Sequence, residues 1–183
     1  LRRQRQMCIR DRRGVRNLKF ENQSIYRSLY RPFYPQYCYF NKYANDMTYQ
    51  LPLLFPTNKA RNLAICSSGV GSKEYSCLMV NHIPCLDFLE KTQCFPRWLP
   101  GEQSKTAVDD LFEAQNPMPS GFSPEALPHF QTAYPDESIT EDDLFYYIYG
   151  ILHSEDYRTR YANNLMKELP RIPRVATYEQ FMA

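Results

Sequence analysis

The stretch Asn62–Leu99, NLAICSSGVGSKEYSCLMVNHIPCLDFLEKTQCFPRWL, decides how this chain is read. It holds three short apolar runs: NLAICSS (Asn62–Ser68), SCLMVN (Ser76–Asn81) and QCFPRWL (Gln93–Leu99). The first two are parted by the flexible turn GVGSKE, the last two by IPCLDFL. Runs this short, bounded by Gly, Ser and Asn, read as strands rather than helices. Upstream, QYCYFN (Gln36–Asn41) follows Pro32 and Pro35 and reads as another strand. KYAND then turns the chain, and MTYQLPLLF is expected to return as a partner strand, with Pro52 placing it at an edge. Residues 13–99 are thus expected to form a mixed sheet of about four to five strands.

The character changes at Pro100. Six prolines (100, 117, 119, 124, 128, 135) interrupt residues 100–139, and Asp109, Asp110 and Glu113 make the segment acidic. It reads as a connector with at most one helix, capped by Ser123 with Pro124 in the first turn. Residues 140–183 then give the clearest helical signal. Thr140 is a natural N-cap, Glu141, Asp142 and Asp143 suit a positive helix start, and Leu144, Ile148, Ile151 and Leu152 share one face. Ser154 caps a second helix bearing Tyr157, Tyr161 and Leu165, which Pro170 ends. An αα-hairpin packed on a sheet makes the fold class α+β.

Composition bounds the rest. With 183 residues, 43% hydrophobic and 15% aromatic, the chain can bury a core, and its fifteen tyrosines suit half-wet surfaces. The longest apolar run, LFYYIYGIL, is too short to cross a bilayer as a helix. Cys38, Cys66, Cys77, Cys85 and Cys94 form no C-x-x-C pair, and the three histidines are scattered, so reduced thiols and no metal site are expected. The arginine-rich start LRRQRQMCIRDRR imitates a nucleic-acid arm. Its codons can also spell the adapter and mosaic end of transposase-based sequencing libraries, so Leu1–Arg12 is expected to be non-native. The formal net charge is +2, with 22 Lys and Arg against 20 Asp and Glu. Leu1–Arg12 supplies five arginines and one aspartate, leaving 17 against 19. An asymmetry survives. Residues 13–75 carry nine basic and three acidic side chains, residues 76–183 eight and sixteen. A basic half beside an acidic one points to nucleic acid on one side.

Catalytic motifs fail on spacing. SSGVGSKE (Ser67–Glu74) has its glycines two apart and a serine between Gly71 and Lys73, which is not a phosphate loop. In DFLEK (Asp87–Lys91) the glutamate and lysine are adjacent, so on a strand they point apart, unlike the metal-binding E-x-K of nucleases. NPMP (Asn116–Pro119) is not the N-P-P-Y loop of an amino-methyltransferase. No catalytic residue and no bound cofactor are therefore expected in this chain.

Three stretches together carry a family resemblance: IYRSLYRPFYPQYCYFNKYANDMTYQLPLLFP, the Asn62–Leu99 segment, and ITEDDLFYYIYGILHSEDYRTRYANNLMKELPRIP. In combination they resemble the C-terminal specificity region of type ISP restriction–modification enzymes. In that family one polypeptide carries a nuclease, a helicase-like ATPase, an N6-adenine methyltransferase and a target-recognition part. The resemblance implies that this chain is the last of these, cut from a prokaryotic cytoplasmic enzyme whose other parts use S-adenosylmethionine, ATP and Mg. Its implied partners are double-stranded DNA and the upstream methyltransferase and ATPase domains. Recognition domains hold phosphates with Lys and Arg and read base edges with Arg, Asn, Gln and Ser. Lys42, Lys59, Arg61 and Lys73 are accordingly expected at phosphate, and Arg31, Asn45, Ser67 and Ser68 nearer to bases. Two other readings compete: a structural module docking on its own parent chain, and a nucleotide site around Gly69–Lys73.

Overall fold

A computed structural model describes residues 19–45, 47–99 and 119–183. The arginine-rich start and the first half of the expected connector lie outside the described residues. Within them the chain is α+β, with two three-stranded sheets. The first has the order β2–β1–β5, formed by Tyr34–Tyr39, Ile25–Arg31 and Ile83–Pro84. The second has the order β4–β3–β6, formed by Cys77–Val80, Ala64–Ser67 and Gln93–Pro96. The strands expected from Asn62–Leu99 are present, but the single sheet is corrected to two. The cause is β5. These two residues leave the second sheet after the Asn81–His82 turn and pair in parallel with Ser28 and Leu29 of β1.

MTYQLPLLF is corrected too. It is a turn followed by one helical turn, α1 (Leu51–Leu54), in which Pro52 occupies the first turn, where its missing N–H costs nothing. The partner of QYCYFN is instead IYRSLYR, forming an antiparallel hairpin from Ile25↔Tyr39 to Arg31↔Tyr34. Tyr30 is the extra residue of a bulge between Leu29 and Arg31.

The second sheet is covered on both faces, which explains why AICS reads as an unbroken buried run rather than an alternation. One face carries Ile65 and Cys77 against Phe145, Leu152, Tyr157 and Leu165 of the helices. The other carries Ala64, Cys66 and Val80 against Phe88 and Leu29. Within that core Cys66 and Cys94 are register partners with their sulfurs 3.4 Å apart. The hydrogen bond to Cys94 and burial hold the Cys66 thiol protonated. Burial likewise pushes Cys77 up to about 11.

The helical half begins with α2 (Ala126–Gln131), then α3 (Glu141–His153). Thr140 caps α3 through a full capping box: its hydroxyl accepts from Asp143 N–H, while the Asp143 carboxylate accepts from Thr140 N–H. Ser154 caps α4 (Glu155–Arg160), as expected, but the second arm of the hairpin breaks at Tyr161 before α5 (Ala162–Leu165). The last helix is α6 (Tyr178–Met182). Ser123 accepts a turn hydrogen bond from Ala126 N–H, but α2 itself starts after Glu125. Pro119–Ile139 is no mere connector. Trp98 bridges to Ser120, and Phe130, Tyr134 and Ile139 bury themselves against Leu144, Tyr147 and Phe181. Three tyrosines then rivet the extended segment before α6. The hydroxyls of Tyr157, Tyr147 and Tyr134 donate to the carbonyls of Arg171, Pro173 and Val175 at 2.8, 2.6 and 2.7 Å. Burial raises the Tyr147 phenol to about 12. The two halves are clamped by Arg97, 7% exposed, whose guanidinium donates to Asp142 at 2.6 Å and Glu141 at 2.9 Å.

Candidate nucleic-acid interface

Between the two sheets lies a cleft of about 580 Å³. Its walls come from places far apart in sequence: Tyr26 and Arg27 of β1, Phe55 and the loop Thr57–Leu63 entering β3, the Asn81–Ile83 turn where the chain changes sheet, and Trp98. The loop is held from behind. Asn62, buried, donates both amide hydrogens, to Leu54 O and Trp98 O at 3.1 and 2.8 Å, and accepts from Trp98 N–H. The Tyr26 hydroxyl donates to Pro56 O at 3.2 Å, and Ala60 N–H closes a turn on Thr57 O. With its backbone so fixed, the loop presents Asn58, Lys59 and Arg61 outward, all exposed. Arg27 is exposed on the opposite wall, and Asn81 and His82 close the end. No carboxylate among the described residues lines the cleft. Three cations and two exposed amides around a space with no opposing charge make a positive potential that favours an anionic ligand.

The eight residues expected from sequence separate on this frame. Lys59 and Arg61 line the cleft together. Arg31 sits at the far end of β1, its guanidinium 4.7 Å from the Tyr30 ring and hydrogen-bonded to the Asp87 carbonyl. Lys42 is exposed beside the Tyr43 ring. Asn45 has spent both amide hydrogens closing the turn after β2, on Tyr39 O and Asn41 O. Ser67 and Ser68 are buried at the other end of β3 from the cleft loop. Ser68 Oγ accepts from Ser76 N–H, whereas Ser67 Oγ meets no partner among the described residues. Lys73 is exposed in the turn beyond them, roughly 15 Å from the cleft at strand spacing. Arg27, Asn58, Asn81 and His82 escaped the sequence reading. An arginine between tyrosine and serine, or an Asn–His pair at a turn, has no local signature; only the pairing of β5 with β1 gathers them.

The Gly69–Lys73 turn has a structural explanation. A Cβ on Gly69 would lie 2.3 Å from the Lys91 carbonyl oxygen, and Gly71 takes φ +77° beneath the Lys91 ammonium. The amides that a phosphate would need are already used. Gly69 N–H donates to Glu90 O, Gly71 N–H to Met166 O, Ser72 N–H to Gly69 O and Lys73 N–H to a Glu90 carboxylate oxygen. The turn is a packed corner of the second sheet. Among the described residues, no three His, Cys, Asp or Glu side chains converge as metal ligands, and no helix is long and apolar enough to cross a membrane.

No curated protein sequence matches the chain significantly. Solved structures do, among them the following three. The chain is 36% identical to a chain of the cryoEM structure of a DrdV–DNA complex, at a TM-score of 0.79 over 90% of its own length. It is 27% identical, at a TM-score of 0.76 over 90%, to the ATP-dependent type ISP restriction–modification enzyme LlaBIII bound to DNA. It is 30% identical, at 0.65 over 85%, to a nuclease-deletion mutant of the type ISP enzyme LlaGI in complex with a DNA substrate mimic. It spans 15, 10 and 12% of those much longer chains. The model of the type ISP C-terminal specificity domain matches residues 2–183, and the chain belongs to that family.

Proposed function

We propose that this domain recognises double-stranded DNA for a restriction–modification polypeptide, and that the duplex lies across the mouth of the cleft between its two sheets. The observation that carries the reading is the cleft bearing Arg27, Lys59 and Arg61 and, among the described residues, no carboxylate, in a domain whose similar solved structures are complexes with DNA. Lys59 and Arg61, on a braced loop, suit phosphate contact, which positions a duplex without reading it. Arg27, Asn58, Asn81 and His82 supply the donors and acceptors that base edges require. Lys42 adds charge at the flank. The domain brings no chemistry of its own. S-adenosylmethionine, ATP and Mg act in the methyltransferase, ATPase and nuclease parts of the parent chain, in a prokaryotic cytoplasm. The acidic helical half faces away from the duplex or toward those parts.

The test is charge reversal. Lys59→Glu with Arg61→Glu, in a chain whose circular dichroism and melting temperature match the wild type, should abolish binding to a short random-sequence duplex. Undiminished binding would remove the cleft from the reading. It would favour the docking alternative if the same variant still assembled with the parent's remaining domains.

A further inference from the structure

The β1–β2 hairpin carries a side chain that neither stability nor solubility explains. Its two turn residues are Pro32 and Phe33, flanked by the register pair Arg31↔Tyr34. Phe33 has φ +62° and is 89% exposed. A left-handed residue following proline in a two-residue turn is ordinarily glycine or asparagine, because a Cβ there meets the backbone. An aromatic ring fully in water also forgoes the burial for which such rings are ordinarily used. Pro32, Pro35 and the Tyr30 bulge stiffen and twist the tip, so the ring is held out rather than left to collapse. Around it Tyr34 and Tyr37 are 60% and 77% exposed, and Arg31 stacks on Tyr30.

The hairpin also runs out of the cleft. Arg27, which lines the cleft, pairs across the sheet with Tyr37, and the tip lies roughly 15–20 Å further along β1. From Ile25 to Tyr39 there are two arginines and no carboxylate. A preorganised ring among tyrosines and arginines, continuous with a basic cleft, has the composition of a base-stacking platform. We propose that Phe33 is a DNA-contacting stacking residue, packing on a base step that it helps to unstack about five base pairs from the cleft. This rests on the DNA reading above and adds a second, apolar contact to it.

The experiment titrates the 183-residue chain with a short random-sequence duplex. The chain's only tryptophan is Trp98, so the wild type supplies the background for Phe33→Trp. The duplex should quench the added indole emission and shield it from acrylamide. Phe33→Ala should weaken duplex affinity about tenfold, within the range for loss of one stacked base, and leave the salt dependence unchanged because no phosphate contact is lost. Phe33→Gly should bind as weakly yet melt at or above the wild-type temperature, because glycine relieves the left-handed backbone. Wild-type affinity in Phe33→Ala with unaltered emission in Phe33→Trp would overturn the inference. The cleft reading would survive that result if Lys59→Glu with Arg61→Glu still abolished binding, and would fall with it otherwise. A melting temperature several degrees lower in Phe33→Gly would make Phe33 a structural residue and also overturn it. So would normal duplex binding by Phe33→Ala together with lost cleavage by the parent enzyme, which would assign the tip to a neighbouring domain.

Discussion

The two sheets have similar strand counts and opposite fates. The β4–β3–β6 sheet is sandwiched: helices cover Ile65 and Cys77, while β1 and Phe88 cover Ala64, Cys66 and Val80. The β2–β1–β5 sheet is braced at its base by Leu54, Phe55 and Phe40, and then extends a hairpin whose Tyr30, Phe33, Tyr34 and Tyr37 stay in solvent. One sheet uses aromatic and aliphatic groups to hold the chain together; the other displays them. The charges follow the same division, with Arg27, Lys59 and Arg61 about the open sheet, and Glu141, Asp142 and Asp143 at the head of α3. On the proposed reading stability and recognition fall in different regions, joined through β5, which leaves the packed sheet to pair with β1.

That separation can be broken most forcefully from the packed side. Leu144, 1% exposed, anchors α3 in the cluster formed with Phe130, Tyr134 and Phe181. Leu144→Ala should cost about 3 kcal/mol in urea unfolding, the usual outcome when a buried leucine leaves a cavity. Duplex affinity of the molecules still folded should not change. Loss of affinity beyond the unfolded fraction would show that the helices take part in recognition.

The open side should respond in the reverse manner. Lys59→Ala with Arg61→Ala should weaken duplex binding about tenfold at moderate salt and flatten the slope of log affinity against log salt by about two. The melting temperature should stay constant, because both side chains are exposed and Asn62 holds the loop.

A smaller effect belongs to the α3 cap. Thr140→Ala removes the hydroxyl that accepts from Asp143 N–H and should cost about 1 kcal/mol in the same urea experiment, with no change in DNA binding.

The same division governs how much could be read from sequence. The α3 helix was legible residue by residue, because Thr140, the three acids after it and the spacing of Leu144, Ile148 and Ile151 are local signals of one element. β3, β4 and β6 were legible as short apolar runs bounded by turn residues. IYRSLYR was not. On an exposed hairpin arginine and tyrosine alternate without the apolar contrast that marks a half-buried strand, and only the register with Tyr34–Tyr39 reveals it. LPLL reads as a strand by composition, yet Pro52 suits the first turn of a helix equally well, and packing of Leu54 beneath Ile83 decides. The proline-rich half of the expected connector hid Phe130, Tyr134 and Ile139, whose partners Leu144, Tyr147 and Phe181 lie downstream. The cleft was half legible. Lys59 and Arg61 stand out as charges in the basic half, whereas Arg27 and the Asn81–His82 turn join them through a parallel pairing of two residues that no local pattern announces.

The most direct test of this division is hydrogen exchange on the folded chain with and without saturating duplex DNA. Exchange should slow in Thr57–Leu63, in Asn81–Ile83 and along the Ile25–Tyr39 hairpin, with α3 and α4 unchanged. Protection confined to the helices, with the cleft loop exchanging as in the free chain, would contradict that division.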